Sequence, residues 1–253
     1  MNLSEMTWAD VDSLSRDTPI VFPIAANEQH GRHMPLFTDS LLLEEVMRRV
    51  QTQSLSENIL VSPLQWFGNS HHHMDMPGTL SASPRLYLDL LKNLAECFLV
   101  HGFVRIIFVN GHGGNITPSE QALFELRQQY RDREDLLLLS LTYWDSANPN
   151  EKNPELIQNE MGHAGEWETS MMLRVRPDLV QGDVKQVAEI PFGNGGAPGY
   201  RSWTMADRSE PGHIGTPGAA TVEKGEALFD CFAAGAESYL QKVVDWNGEK
   251  WDL

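Results

Sequence analysis

Short apolar segments alternate with amphipathic segments along this chain, and that alternation constrains the fold more than any other feature. Segments 19–26, 58–67, 104–111 and 135–144 are rich in Ile, Val, Leu and Phe and have the length of strands. Apolar residues recur at helical spacing in 41–50, 83–102, 117–131, 168–177 and 222–244. Strands that alternate with helices build a mainly parallel sheet covered by helices. We therefore predict an α/β fold, with 104–111 as a central strand.

Two of the predicted helices carry signals at their ends. Ser83 fits the N-cap of 83–102, Pro84 its first helical position and Gly102 its C-terminal stop. At 117–131, Thr117 and Glu120 have the spacing of a capping box. Helices are therefore expected to begin at both places.

Size and charge bound the class of protein. The 253 residues contain no repeat and no long linker, which predicts a single domain over 1–253. A net charge of −16 argues against nucleic acid and an anionic membrane surface as partners. Two distant cysteines, no signal-peptide pattern and no apolar run of about 20 residues predict a cytoplasmic protein with reduced thiols and no membrane span.

Polar clusters follow the predicted strands. They are EQHGRHMPLFTD (28–39), GNSHHHMDMPGT (68–79), NGHGGN (110–115) and GHAGEWETS (162–170), and they contain seven of the nine histidines. Open α/β sheets build their sites at the carboxyl ends of their strands. These clusters are therefore expected to meet in one site.

Several side chains in the clusters can bind metal. Glu28 and His30 are two residues apart, which places them on the same side of a continuing strand. Asp39 is either a helix-start acid favoured by the helix dipole or a ligand that points into the site. His112 lies between glycines that match neither a phosphate-binding loop nor a dinucleotide fingerprint. Glu168 is either a helix N-terminal charge or a ligand.

The mixture of imidazoles and carboxylates suits Zn²⁺, Mn²⁺ or Fe²⁺. Two histidines and three carboxylates exceed the ligand set of one catalytic zinc, which predicts a centre of two divalent ions. His33 is expected at the rim of the site or behind the ligands. Of the three histidines in 71–73, at most two are expected to face the site.

These clusters, in this order, resemble the creatininase (creatinine amidohydrolase) family. The resemblance begins at TWADVDSL (7–14) and extends to IGTPGAATVEKGE (214–226), so it covers nearly the whole chain. It implies a three-layer αβα sandwich with a mostly parallel central sheet. It also implies a binuclear metal centre and assembly as a homo-oligomer, commonly a hexamer.

The resemblance assigns roles to single residues. It implies that Glu28, His30, Asp39 and His112 bind metal, with Asp39 as the bridge between the two ions. It further implies that His163 contacts the substrate and donates a proton to the leaving nitrogen.

The chain departs from creatininase proper in the loop after the third strand. There, the family histidine is followed two residues later by a metal-binding Glu, which is replaced here by Gly114, and an aromatic substrate contact is replaced by Gly113. We expect Glu168 to supply the missing carboxylate. We also expect His73, Gly113 and Gly114 to contact the substrate.

The predicted function is that of a metal-dependent amidohydrolase. Water activated by two divalent ions would attack the carbonyl carbon of a small-molecule substrate with a non-peptide or cyclic amide C–N bond. The alternatives are a formamide deformylase of a purine- or pyrimidine-derived intermediate, a small-peptide peptidase, and a metal-dependent binding or sensor protein without turnover. The Gly-rich segment 192–203, with Trp203, is expected to shape the pocket.

Overall fold

A parallel sheet forms the middle layer of the protein, whose computed structural model describes residues 1–51, 55–153, 155–248 and 251–252. In the sheet the strands lie in the order β2-β1-β3-β4, and every neighbouring pair is parallel. Their bounds are β1 Ile20–Ile24, β2 Leu60–Val61, β3 Arg105–Asn110 and β4 Leu137–Thr142. The prediction of 104–111 as a central strand is therefore confirmed.

Helices cover both faces of this sheet. They are α1 Trp8–Asp12, α2 Thr38–Gln51, α3 Pro84–Val100, α4 Ile116–Gln129, α5 Pro149–Lys152, α6 Glu166–Val175, α7 Met205–Arg208 and α8 Val222–Asp245. Side chains alternate across each strand. Val21 and Ile107 pack under α2, α6 and α8, whereas Ile20 and Ile106 pack under α3 and α4. The three-layer αβα sandwich is confirmed, and among the described residues no helix has the length and apolar character needed to cross a membrane.

The predicted strand 58–67 is much shorter in the structure. It pairs with β1 only at Leu60–Val61, and a single bridge from Ile24 to Gln65 follows. Pro63 stands in the gap and has no N–H with which to continue the ladder. Pro23 of β1 faces the same gap, because its carbonyl accepts from Gln65 N at 2.9 Å. The backbone N–H groups that Pro23 and Pro63 lack would both lie where the pairing of β1 with β2 is interrupted. The chain leaves the sheet at this point and continues toward 68–79.

One helix start was predicted correctly and one was not. Ser83 Oγ accepts from Leu86 N at 3.4 Å and caps α3, and Gly102 follows that helix with φ +89°. The capping box of Thr117 and Glu120 is wrong, since α4 begins at Ile116, directly after a 3-10 turn. That turn anchors the helix start instead of a Thr side chain.

A buried ion pair joins α6 to α8. Lys224 Nζ lies 2.6 Å from Glu166 Oε1, and both residues are buried. The other oxygen of Glu166 accepts from the backbone N–H groups of Ile157 and Gln158, each at 2.8 Å. Glu166 therefore holds the segment that leads into 162–165 against the helix layer.

Candidate active site

The side chains predicted to bind metal lie together beyond the carboxyl ends of β1 and β3. All five are at most 4 % exposed: Glu28, His30, Asp39, His112 and Glu168. They come from four elements, namely the loop after β1, the start of α2, the loop after β3 and the start of α6. A buried group of ionisable side chains is unstable unless its charges are compensated.

Asp39 stands at the centre of this group. Its Oδ1 lies 3.1 Å from His30 Nε2, and its Oδ2 lies 3.1 Å from His112 Nδ1. It belongs to the first turn of α2, as the helix-start interpretation required, but its side chain points into the site. The two oxygens of one carboxylate thus face two different histidines.

Glu28 occupies one side of Asp39. Its Oε1 is 3.4 Å from His112 Nδ1, 3.4 Å from His73 Nε2 and 3.5 Å from His163 Nδ1. Ligand atoms of Glu28, His72 and His112 all lie within 4.8 Å of one another, and so do those of Glu28, His30 and His163. This side can accommodate a cation with one carboxylate and several imidazoles.

Glu168 occupies the other side of Asp39. Its Oε1 lies 3.7 Å from His30 Nε2, and its Oε2 accepts from Ala164 N at 2.5 Å. The ligand atoms of His30, Asp39 and Glu168 form another group within 4.8 Å. The two interpretations of Glu168 are therefore compatible, because one oxygen serves the helix start while the other faces the site.

Burial and charge together shift the pKa values of these groups. Burial, together with the nearby Asp39, raises the pKa of Glu28 to about 7 against the opposing effect of His112. Burial would lower the pKa of His112, but the charges of Glu28 and Asp39 outweigh it and raise that pKa to about 9. Burial would raise the pKa of Asp39, but His30 and His112 hold it below its ordinary range. The cluster strongly favours positive charge beside its carboxylates.

The residues present fit divalent metal ions. Among the described residues, Glu28 Oε2 and Asp39 Oδ2 are buried without a well-formed hydrogen bond. A buried carboxylate oxygen in that situation is costly unless a cation compensates it. Imidazole nitrogens and carboxylate oxygens are the donors that Zn²⁺, Mn²⁺ and Fe²⁺ accept.

His163 lies against the Glu28 side of the cluster. Its Nε2 donates to the carbonyl oxygen of Gln29 at 2.8 Å, which leaves Nδ1 without a proton and 3.5 Å from Glu28 Oε1. Its ring centre is 4.3 Å from that of His30 and 4.4 Å from that of His73. Burial and the charges of His30 and His73 place its pKa well below the ordinary histidine value. His163 is therefore neutral at ordinary pH.

The side chain of Gln29 connects two of these histidines, and it was not predicted. Its Nε2 donates to His73 Nδ1 at 2.7 Å and to the carbonyl oxygen of Gly212 at 2.8 Å, while His163 Nε2 lies 3.1 Å away. His73 consequently presents a protonated Nε2 toward Glu28. A glutamine between two candidate residues in EQH has no local signature, because its partners come from distant segments.

Of the histidines in 71–73, His72 and His73 lie beside the candidate ligands, in line with the expectation that at most two face the site. All three line the cavity above the site, although His71 is exposed and hydrogen-bonded to Ser81. His72 was not singled out by its sequence, yet its ring lies nearly parallel to that of His112 at 5.8 Å. His33 lies behind the ligands as predicted, with its Nε2 3.1 Å from the carbonyl oxygen of Ala164.

A cavity of about 1280 Å³ opens above this cluster. The Gly-rich segment contributes Phe192, Tyr200 and Trp203 to its wall, so the prediction that 192–203 shapes the pocket is confirmed. Trp203 packs edge-on against His72, with the ring centres 5.0 Å apart. Gly113 and Gly114 line the same cavity.

Sequence comparison decides the family. The creatininase family, described as creatinine amidohydrolase, matches residues 4–240. This chain belongs to the creatininase family. The relatives described below are a peptidase and an amidohydrolase, and this chain is a hydrolase of the same family.

Two relatives show how far the creatininase family has diversified. The chain is 32% identical over 239 residues to the mycofactocin precursor peptide peptidase of Mycolicibacterium smegmatis, covering 90% of this chain and 87% of the relative. It is 29% identical over 262 residues to the creatinine amidohydrolase of Pseudomonas putida, covering 95% and 96%.

Solved creatininase structures share the fold over nearly their full length. A tryptophan mutant of creatininase superposes with a TM-score of 0.79 at 26% identity, covering 96% of this chain and 98% of the other. A Zn-Zn form and an Mn form each have a TM-score of 0.76, at 28% and 27% identity, and each covers 95% of this chain and 97% of the other.

The two glycines that depart from creatininase proper differ in their surroundings. A Cβ at Gly113 would meet nothing within 4 Å, so this position opens space in the cavity. A Cβ at Gly114 would overlap the carbonyl oxygen of Asn69 and would lie 2.5 Å from His112 Nε2. The position of the creatininase glutamate therefore cannot carry any side chain with this backbone.

Proposed function

We propose that this protein is a metal-dependent amidohydrolase that hydrolyses a non-peptide or cyclic amide C–N bond at a centre of two divalent ions. The observation that carries the proposal is the position of Asp39. Its two oxygens each lie 3.1 Å from a different buried histidine, with Glu28 on one side and Glu168 on the other. One carboxylate placed in this way can bridge two cations.

Each ion would have its own ligands besides Asp39. Glu28 and His112 would hold one ion, and His30 and Glu168 would hold the other, whether zinc, manganese or iron. When bound, the pair of ions supplies Lewis acidity that lowers the pKa of water and polarises a carbonyl oxygen. The carboxylate missing at Gly114 is supplied by Glu168 in this proposal, because α6 brings it within 3.7 Å of His30.

His163 would move the proton. Its unprotonated Nδ1 points toward Glu28, while its Nε2 is held by the carbonyl of Gln29. Its lowered pKa keeps it neutral and makes it a weak base, so it would hold the proton from the attacking water only transiently. The imidazolium that forms is a strong acid in this buried place, and it releases its proton to the departing nitrogen. His73, Gly113 and Gly114 would contact the substrate from the cavity wall.

A small-peptide peptidase is the second candidate, and the cavity favours it. Its volume of about 1280 Å³ exceeds the roughly 300–1,000 Å³ of typical small-molecule sites. Gly113 adds open space where creatininase proper has an aromatic contact. The relative of M. smegmatis named a peptide peptidase supports this candidate.

Location and assembly follow from the same proposal. We propose a cytoplasmic enzyme, because Cys97 and Cys231 are free and form no disulfide. Membership of the creatininase family supports a homo-oligomer, with a hexamer as the expected number. Light scattering on the purified protein measures the number directly.

The test of the proposal is metal content and turnover together. Wild-type protein should bind two divalent ions per chain, whereas Asp39→Asn should lose both. Asp89→Asn, an exposed carboxylate on α3, is the matched control and should retain both. A wild-type protein without transition metal, or Asp39→Asn with unchanged metal, would contradict the binuclear centre.

Turnover separates the candidate activities. Manganese- and zinc-loaded protein is assayed on cyclic amides, on formamides of purine or pyrimidine precursors, and on short peptides. Hydrolysis within one class selects that activity. Metal bound without turnover on any class selects the binding or sensor protein.

A further inference from the structure

Arg208 is a cation in the wall of the cavity. It is the last residue of α7, and this short helix packs against the 71–73 turn. Its Nη2 donates to the carbonyl oxygen of Phe192 at 2.6 Å, and its guanidinium carbon lies 4.8 Å from the centre of the Trp203 ring. These contacts hold the guanidinium at the cavity surface and use only one of its five N–H donors.

No carboxylate lies within ion-pair distance of Arg208 in the described part of the chain. Arg32 and Arg174, by contrast, each have a carboxylate partner, since Arg32 lies 2.6 Å from Glu210 and Arg174 lies 2.5 Å from Glu226. The exposed Glu160, which also lines the cavity, acts on Arg208 only at longer range. Burial lowers the pKa of Arg208, because part of the hydration of its guanidinium is lost and no carboxylate pairs with it at short range.

A row of rings connects Arg208 to the candidate metal ligands. Trp203 contacts His72 with ring centres 5.0 Å apart, and His72 stacks on His112 at 5.8 Å with an angle of 14° between the planes. These rings form one continuous wall of the cavity. A molecule lying along this wall with its amide at His112 reaches Arg208 with its other end.

We propose that Arg208 binds a carboxylate of the substrate, so that the amide hydrolysed by this protein carries a free carboxylate remote from the scissile bond. This inference rests on the proposed function for the position of the scissile bond. A guanidinium presents paired N–H groups that match the two oxygens of a carboxylate, and such bonds are strong where water is partly excluded. Trp203 keeps the guanidinium plane in place for that contact.

Arg208 could instead serve only to hold the loop through Phe192 and Trp203. The two roles predict different results for a pair of ligands that differ only in the terminal group. N-benzoylglycine, N-benzoyl-diglycine and N-benzoyl-triglycine are therefore compared with their terminal amides. Affinity is measured by calorimetry and, where a compound is hydrolysed, KM and kcat are measured as well.

The expected results concern the ratio of acid to amide affinity. Wild-type protein should bind at least one acid about ten-fold or more tightly than its amide, as a hydrogen-bonded charge pair allows. Arg208→Gln should remove this preference, because it weakens the binding of the acid and leaves the binding of the amide unchanged. Arg208→Lys should keep part of the preference. Glu160→Gln should increase the ratio, because it removes a negative charge near the guanidinium. Arg201→Gln is the control, an exposed arginine in the loop before α7 that does not line the cavity.

Three outcomes would overturn the inference. They are a wild-type protein that binds no acid better than its amide, an Arg208→Gln variant that weakens acid and amide equally, and a preference for acid that survives in Arg208→Gln. The last would place the carboxylate on the metal ions or the histidines. Absence of hydrolysis does not bear on this inference, since the affinity ratio is measured without turnover, and the proposed function is decided by the turnover assay on the three substrate classes.

Discussion

His33 donates a hydrogen bond to the carbonyl oxygen of Ala164 across 3.1 Å. Ala164 is the one residue other than glycine with positive φ, 51°, in the described part of the chain, and its N–H binds Glu168. His33 therefore holds the turn that aims Glu168 at His30. We expect His33→Ala to lower the free energy of unfolding of metal-free protein by about 0.5–1.5 kcal/mol, because it removes one of two hydrogen bonds to this buried carbonyl, the other being donated by Thr169 Oγ1 at 3.3 Å. Urea unfolding measures this, with the exposed His101→Ala as control.

The stabilisation by His33 should depend on pH. Burial and the nearby His213 lower the pKa of His33 to about 4, whereas the unfolded chain takes up this proton near pH 6.5. The contribution of His33 to the free energy of unfolding is therefore fully present above pH 6.5 and is lost as the pH falls toward 4. The difference in unfolding free energy between wild type and a non-titrating His33→Gln variant should shrink by about 3 kcal/mol over that range. A difference that is constant with pH would contradict the shift.

Metal stoichiometry should distinguish Glu168 from Asp39. In the proposed centre Asp39 contacts both ions and Glu168 only one. We expect Glu168→Gln to retain one ion per chain, held by Glu28, Asp39 and His112, and Asp39→Asn to retain none. Elemental analysis after dialysis gives the counts. Equal loss in both variants would show that the two positions are not independent.

Gly113 and Gly114 should respond in opposite ways to the same substitution. Gly113→Ala adds a methyl group in open space and should leave stability within about 0.5 kcal/mol. Gly114→Ala forces the added carbon against Asn69 and His112, so it should destabilise the protein by about 1–3 kcal/mol and weaken metal binding. Thermal unfolding with and without metal compares the two. If Gly114→Ala leaves both stability and metal binding unchanged, the 69–72 segment can move to accommodate a Cβ, and the prediction is wrong.

The buried pair of Lys224 and Glu166 should matter for folding rather than for chemistry. Lys224→Met leaves the carboxylate of Glu166 buried without its cation, which typically costs about 3–5 kcal/mol. Lys242→Met, on the exposed side of the same helix, should change stability by less than about 0.5 kcal/mol. Denaturant unfolding measures both. The specific activity per folded molecule should remain near that of the wild type.

Local patterns were sufficient for the five long helices, the sheet and the meeting of Glu28, Asp39 and His112, but not for the short helices α1, α5 and α7. Apolar periodicity and loops at strand ends depend on neighbours in sequence, and both were visible in the chain. The length of β2 was not, since the effect of Pro63 depends on the strand beside it. Arg208 was missed for a similar reason, because its role depends on a cavity wall built from distant segments.

The backbone and rings packed around Gly114 leave no space for a side chain at this position. Any side chain there must displace the backbone of Asn69 and the ring of His112, so restoring the glutamate of creatininase proper by a single substitution damages the site it is meant to complete. In the proposed centre the carboxylate comes from Glu168 instead. A protein engineer who wishes to place a carboxylate at position 114 must therefore rebuild the 69–72 segment as well.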